Sequence, residues 1–120
     1  MRKEASGDEV KSMLDRLGLV GAAYYRVNIA NLDWSNAPNF GMEMDLRVTP
    51  DVQTLVVDLE SVKFMDSGAI RQLVIVQNNM KEVGRKGVVL LDVPDNIKDN
   101  LNMLGFLDLF NVCSSREPQK

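Results

Sequence analysis

Apolar residues recur along this chain with two spacings, and the spacing changes from segment to segment. Val10, Met13, Leu14 and Leu17 fall at i, i+3, i+4 and i+7, with acids early and Gly18 at the stop. That predicts a short amphipathic helix over 8–18. Tyr25, Val27 and Ile29 alternate with Tyr24, Arg26 and Asn28, the two-residue repeat of a strand within 22–29. Residues 31–38 are turn-rich, and Ser35 or Asn36 is placed to cap a helix with Pro38 in its first turn. The stretch 40–48 satisfies both repeats: Met42, Met44, Leu46 and Val48 alternate, while Phe40, Met44 and Val48 stack at i, i+4 and i+8. Its Met, Glu and Leu content and the Pro38 start signal favour helix.

Beyond the Thr49-Pro50-Asp51 break, residues 54–59 are almost continuously apolar, as in a strand buried on both faces. From Ser67 or Gly68 to Val83 the helical repeat is clearest, with Ile70, Leu73, Val74, Gln77 and Met80 on the inner face and Gly84 at the stop. Val88 to Leu91 is a second buried-type strand. Pro94 then opens a helix with Ile97, Leu101 and Leu104 on one stripe, closed by Gly105. Residues 106–113 hold a short turn and an edge strand. Strands alternating with helices predict an α/β sandwich with a partly parallel sheet and right-handed crossovers. Residues 1–20 read as an N-terminal extension carrying the short helix, able to pack on the sheet, mediate dimers or serve as a linker. Residues 1–7 and 114–120 read as polar ends.

Composition narrows the chemistry. At 120 residues the chain makes one domain, long enough to bury a core unaided by metal or disulfide. The net charge is −3 and the basic residues are scattered, which argues against a nucleic-acid surface. There is no histidine, so Ser-His-Asp and Cys-His catalysis and His-containing zinc sites are excluded. Cys113 stands alone, so no internal disulfide forms, which fits a reducing cytoplasm. No apolar run approaches the roughly 20 residues that span a bilayer, and Met1-Arg2-Lys3-Glu4 leads into no secretory core. Met42, Met44, Met65, Met80 and Met103 read as core filler. An acid–base pair of Asp58 and Asp66 is the enzymatic alternative, but no cofactor motif or convergent polar set accompanies it. No catalytic residue, metal or cofactor is expected.

Residues 56–70 carry the most information. A buried strand leads through Asp66-Ser67-Gly68 directly into the longest helix, so the Ser67 hydroxyl stands at or near a helix N-terminus, where free N–H groups and the helix dipole favour an anion. Ser67 as a cap, as a phosphate acceptor, or as both fits that position. Asp66 reads as a turn or cap carboxylate. Trp34, beside Asp33, reads equally as a contact anchor and as a cover for the sheet edge.

Three segments carry a family resemblance. Asn31-Leu32-Asp33 with Asn36-Ala37-Pro38 is similar to a G-x-L-D-x-x-x-A loop. Val57-Asp58-Leu59 to Phe64-Met65-Asp66-Ser67 is similar to a D-L-s-x-V-x-F-x-D-S signature. Leu104-Gly105-Phe106-Leu107-Asp108-Leu109-Phe110 is similar to a closing L-x-x-x-G-L-x-x-x-F. Together they resemble the STAS domain of anti-sigma-factor antagonists and sulfate-transporter tails, over about 24–112. The resemblance implies an α/β fold, a mixed sheet of four to five strands packed against four to five helices, in a domain spanning 21–113. The family usually begins with a strand, whereas 8–18 reads as helix.

It also implies function. Antagonists of this type are non-enzymatic regulatory proteins. They bind an anti-sigma factor or serine kinase of the ATPase type, and that kinase, which holds the ATP and magnesium, phosphorylates them and so ends the binding. An ungapped match to the common D-S-S-G-L form puts Asp66 and Ser67 on its first two residues and Gly68, which has no hydroxyl, on the usual acceptor. Some members use the residue directly after the Asp, here Ser67. The partner face implied is Asp33, Trp34, Asn36, Asp66, Ser67, Gly68 and Arg71, in a cytoplasmic protein with no membrane insertion. A transporter is the alternative partner. Tyr25-Arg26 through Asn36-Ala37 resembles the Y-R-x-x-x-x-L-x-F-A-N-A opening of sulfate-transporter tails, and Asp66-Ser67-Gly68-Ala69-Ile70 is close to the D-T-G-G-L form of a lipid-transport ATPase subunit.

Overall fold

The computed structural model describes residues 7–19 and 21–115. Its elements are helix α1 (Gly7–Arg16), strand β1 (Ala23–Arg26), strand β2 (Asn31–Leu32), helix α2 (Ala37–Arg47), strand β3 (Thr54–Asp58), strand β4 (Phe64–Met65), helix α3 (Ser67–Glu82), strand β5 (Gly87–Leu91), helix α4 (Asp95–Met103), a 3-10 turn (Leu107–Leu109) and strand β6 (Asn111–Cys113). The main sheet has the order β1-β3-β5-β6, and β2 pairs with β4 in a second, two-stranded sheet. The α/β sandwich expected from the sequence is therefore present. Its sheet, expected to be mixed, is parallel at every pairing among the described residues. The polar ends expected at 1–7 and 114–120 lie for the most part outside the described residues, at 1–6 and 116–120.

Successive strand residues point to opposite faces, so one strand feeds two cores. Leu55 and Val57 of β3, with Val88 and Leu90 of β5, join Phe40 and Met44 of α2, Leu73 and Met80 of α3, and Ile97 and Leu101 of α4. Val56, Val89 and Leu91 face the other way, onto Met13 and Leu14 of α1. That double burial explains why β3 and β5 read as continuous apolar runs, and it settles the place of the N-terminal helix: it packs on the sheet.

Four details differ from the sequence expectation. The strand expected over 22–29 pairs only over Ala23–Arg26. After one more backbone bond, from the Val27 N–H to the Asp58 carbonyl at 3.1 Å, the chain turns away to form β2. Val76, on the side of α3 facing α2, is buried, while Val74 is only half-buried. Leu104, expected on the inner stripe, is half exposed because α4 ends at Met103 and Leu104 is its C-cap. Met44, Met65 and Met80 are core as expected, but Met42 and Met103 are exposed.

Gln77 is the buried polar group of α3. Its side-chain oxygen accepts the Val88 N–H at 2.7 Å and its amide donates to the Leu109 carbonyl, so one side chain ties α3, β5 and the 3-10 turn together. A buried amide left unpaired would cost about 1–3 kcal/mol, which makes these bonds a condition for placing it there. Gly87 permits the approach: a Cβ at that residue would meet the Gln77 oxygen at 2.5 Å, and its φ of +107° is one that side chains rarely adopt.

Candidate functional site

Asp66 organises the corner where β4 runs into α3. It is the N-cap of α3: its Oδ1 accepts the Ala69 N–H at 3.0 Å, satisfying one of the free donors of the first helical turn. Its Oδ2 accepts the Trp34 N–H at 2.9 Å, thirty-two residues away in sequence. The Asp66 N–H in turn donates to the Leu32 carbonyl at 2.9 Å, extending the β2–β4 pairing by one bond. One residue thus locks the loop after β2 to the start of α3.

Ser67 is therefore not the cap. It is the first residue of the helix and is exposed. Gly68 follows, against the Trp34 loop: a Cβ there would lie 3.2 Å from Asp66 Oδ1 and 3.6 Å from Trp34 Cα. Trp34 itself is 79% exposed, so of its two readings the cover for the sheet edge is excluded. Arg71 stands one turn further along α3, also exposed.

The loop holding Trp34 is built by its own polar residues. Asp33 Oδ1 accepts the Ser35 N–H at 2.9 Å and the Ser35 hydroxyl at 2.5 Å. These bonds favour the ionised form and hold the Asp33 carboxyl below the usual carboxylate range. Asn36 takes the cap position of α2 with Pro38 in the first turn, as expected, but its side chain does not cap. It accepts the Asp33 N–H and donates to the Asn31 carbonyl, both at 2.9 Å, closing the loop on itself. Asp33, Trp34, Asn36, Asp66, Ser67 and Gly68 are thus brought into one corner. Three cavities of about 310, 270 and 310 Å³ lie elsewhere; none has Trp34, Asp66 or Ser67 in its wall.

Asp58 belongs to a different corner. It is fully buried at the end of β3, on the α1 side, where its Oδ2 accepts the Tyr24 hydroxyl at 2.5 Å and its Oδ1 the Glu60 N–H at 3.1 Å. Asp58 and Asp66 hold separate partners, so the structure does not assemble them as an acid–base pair. Sequence reading missed what Asp58 does join: carboxylate oxygens of Asp58, Glu60 and Asp92 lie within 4.8 Å of one another, a spacing that would admit a cation. Asp92 is already engaged by the Ser115 N–H and hydroxyl, at 2.8 and 2.6 Å. The available signal was a repeated one, an apolar strand ending in Asp at both Val57-Asp58 and Leu91-Asp92.

Comparison with known proteins agrees with this architecture. A family model described as the STAS domain matches residues 21–118. The chain belongs to the STAS domain family. This STAS domain is similar to BtrV of Bordetella bronchiseptica, a candidate anti-sigma factor antagonist, with 25% identity over 83 residues that cover 69% of this chain and 71% of that one. A solved sulfate transporter family protein from Wolinella succinogenes resembles it with a TM-score of 0.63 at 19% identity, over 78% of this chain and 76% of that chain; the likeness is one of fold. Helix α1 precedes the matched residues. Among the described residues no helix is long and apolar enough to cross a membrane.

Proposed function

We propose that this STAS domain is an anti-sigma factor antagonist that acts by partner switching, with Ser67 as its phosphate acceptor. The observation that carries the reading is the exposed Ser67 hydroxyl at the start of α3, beside an exposed Trp34 fixed to the same carboxylate. The antagonist-type relative supports the partner class. Gly68, the position of the usual family acceptor, has no hydroxyl and lies against the Trp34 loop, while the other hydroxyl of the corner, on Ser35, is held by Asp33; both favour Ser67 as the acceptor.

The partner, an ATPase-type anti-sigma factor or serine kinase of the cytoplasm, binds the unmodified corner through Trp34, Asp33, Asn36, Gly68 and Arg71. The domain supplies no catalytic group. The kinase, with its own magnesium, moves the γ-phosphoryl of ATP to Ser67 Oγ: a new O–P bond forms, the bond to ADP breaks, and the hydroxyl proton leaves to the kinase. The phosphate adds a charge of about −1.5 to −2 at pH 7. A partner surface fitted to a neutral hydroxyl then meets a desolvated dianion, and affinity falls without refolding of the domain.

Mass spectrometry after incubation with an ATPase-type anti-sigma kinase and ATP tests this. One phosphate on Ser67, lost in Ser67→Ala, is the expected result. Ser67→Asp is expected to weaken kinase binding at least tenfold with a melting temperature within about 2 °C of the parent. Phosphate on another residue, or an equal loss of stability, overturns the acceptor role. A second reading, a STAS module regulating a membrane transporter, draws on the Tyr25–Ala37 opening and needs no phosphate. Binding to a transporter that Ser67→Asp leaves unchanged would favour it.

A further inference from the structure

Ser67 has one cation within reach on its own helix. Side chains four residues apart on a helix share a face, with Cβ atoms about 5–6 Å apart, and Ser67 and Arg71 are both exposed there. The other positions three or four residues from Arg71 are Gly68, Val74 and Ile75, none of them charged. The ion pairs seen among the described residues do not include Arg71, and the first turn of α3 holds no acid. The acids of the corner are occupied: Asp66 by the Trp34 and Ala69 N–H groups, Asp33 by Ser35. Lys63, the other nearby cation in sequence, precedes β4 and so lies at its far end from Ser67.

We propose that Arg71 is the latch for a phosphate on Ser67, so that modification alters the partner face twice, adding a dianion and withdrawing the guanidinium offered to the partner before. This rests on Ser67 being the acceptor. A guanidinium matches phosphate oxygens with two parallel N–H bonds, a geometry that lysine cannot reproduce. Asp66 and Asp33 oppose the second ionisation of a phosphate at this corner, and Arg71 opposes them. Arg71 is a positioning residue of the switch: unmodified, it extends toward an acidic group of the partner; after modification it folds back along α3.

The test needs no kinase. Phosphoserine is incorporated at residue 67 of the full chain during synthesis, and its second ionisation is followed by phosphorus NMR. That ionisation ordinarily falls near pH 6. It is expected to lie about half a unit lower with Arg71 present than in Arg71→Ala, with Arg71→Lys in between and the gap shrinking in about 1 M salt. Identical titrations for parent and Arg71→Ala overturn the latch. Circular dichroism of each variant separates this from misfolding, and because Arg71 is exposed its removal is expected to leave the fold intact. A kinase that ignores Ser67 removes the acceptor reading but leaves this titration as it is, so the two failures are told apart.

Discussion

Two corners of this domain are built on a similar plan, an aspartate at the C-terminal end of a parallel strand or just after it, and end in opposite states. At Asp58 the carboxylate is fully buried, holding the Tyr24 hydroxyl and the Glu60 N–H, with Glu60 and Asp92 close by. At Asp66 the carboxylate accepts two bonds, and both come from backbone N–H groups of the loop and helix it joins. The second arrangement uses the acid up in fixing backbone, which frees the neighbouring side chains, Trp34 and Ser67, to face solvent. A buried polar corner stabilises; a corner whose acid is spent on backbone presents.

Removing the two acids therefore has different consequences. Asp58→Ala takes the acceptor from a half-buried tyrosine hydroxyl and opens a hole beside it, and is expected to cost about 3 kcal/mol in urea unfolding. A cost under about 1 kcal/mol would mean the corner is wet and the comparison fails. Asp66→Ala removes a helix cap and the tie to the loop, with an expected cost of about 1–2 kcal/mol. Its sharper signature is mobility of Trp34: fluorescence anisotropy of the single tryptophan is expected to fall in Asp66→Ala and not in Asp58→Ala.

The smallest effect concerns the loop's own acid. The Ser35 bonds depress the Asp33 pKa, so their contribution is present above the unfolded carboxylate value of about 3.9 and is lost as pH falls through the lower folded value. Ser35→Ala is expected to move the Asp33 titration, followed by carbon NMR, up toward the ordinary carboxylate range. The Asp33 carboxyl is not buried, so global stability is expected to change little.

Where the sequence was legible, one strong local pattern met one strong demand. The runs at 54–59 and 88–91 became β3 and β5 because both sheet faces are covered, and Gly84 and Gly105 ended α3 and α4 where the repeat stopped. The β2–β4 pair was not legible: two residues per strand, with Phe64 exposed, leave no repeat to see. Val76 took a core place because α2 lies on that side, information held by helix packing and absent from the repeat itself. At the site, the family pattern gathered the corner residues, but two good capping residues adjoin at 66 and 67, and local propensity cannot choose between them. The choice fell to Asp66 because a carboxylate has two oxygens and the Trp34 N–H needed the second one.

Helix α1 has a practical consequence. The residues that match the family begin after it, yet Val56, Val89 and Leu91 are dry because Met13 and Leu14 lie over them. Trimming the chain to its recognisable portion would hand those side chains to water and leave an aggregation-prone sheet where the intact protein has a lid.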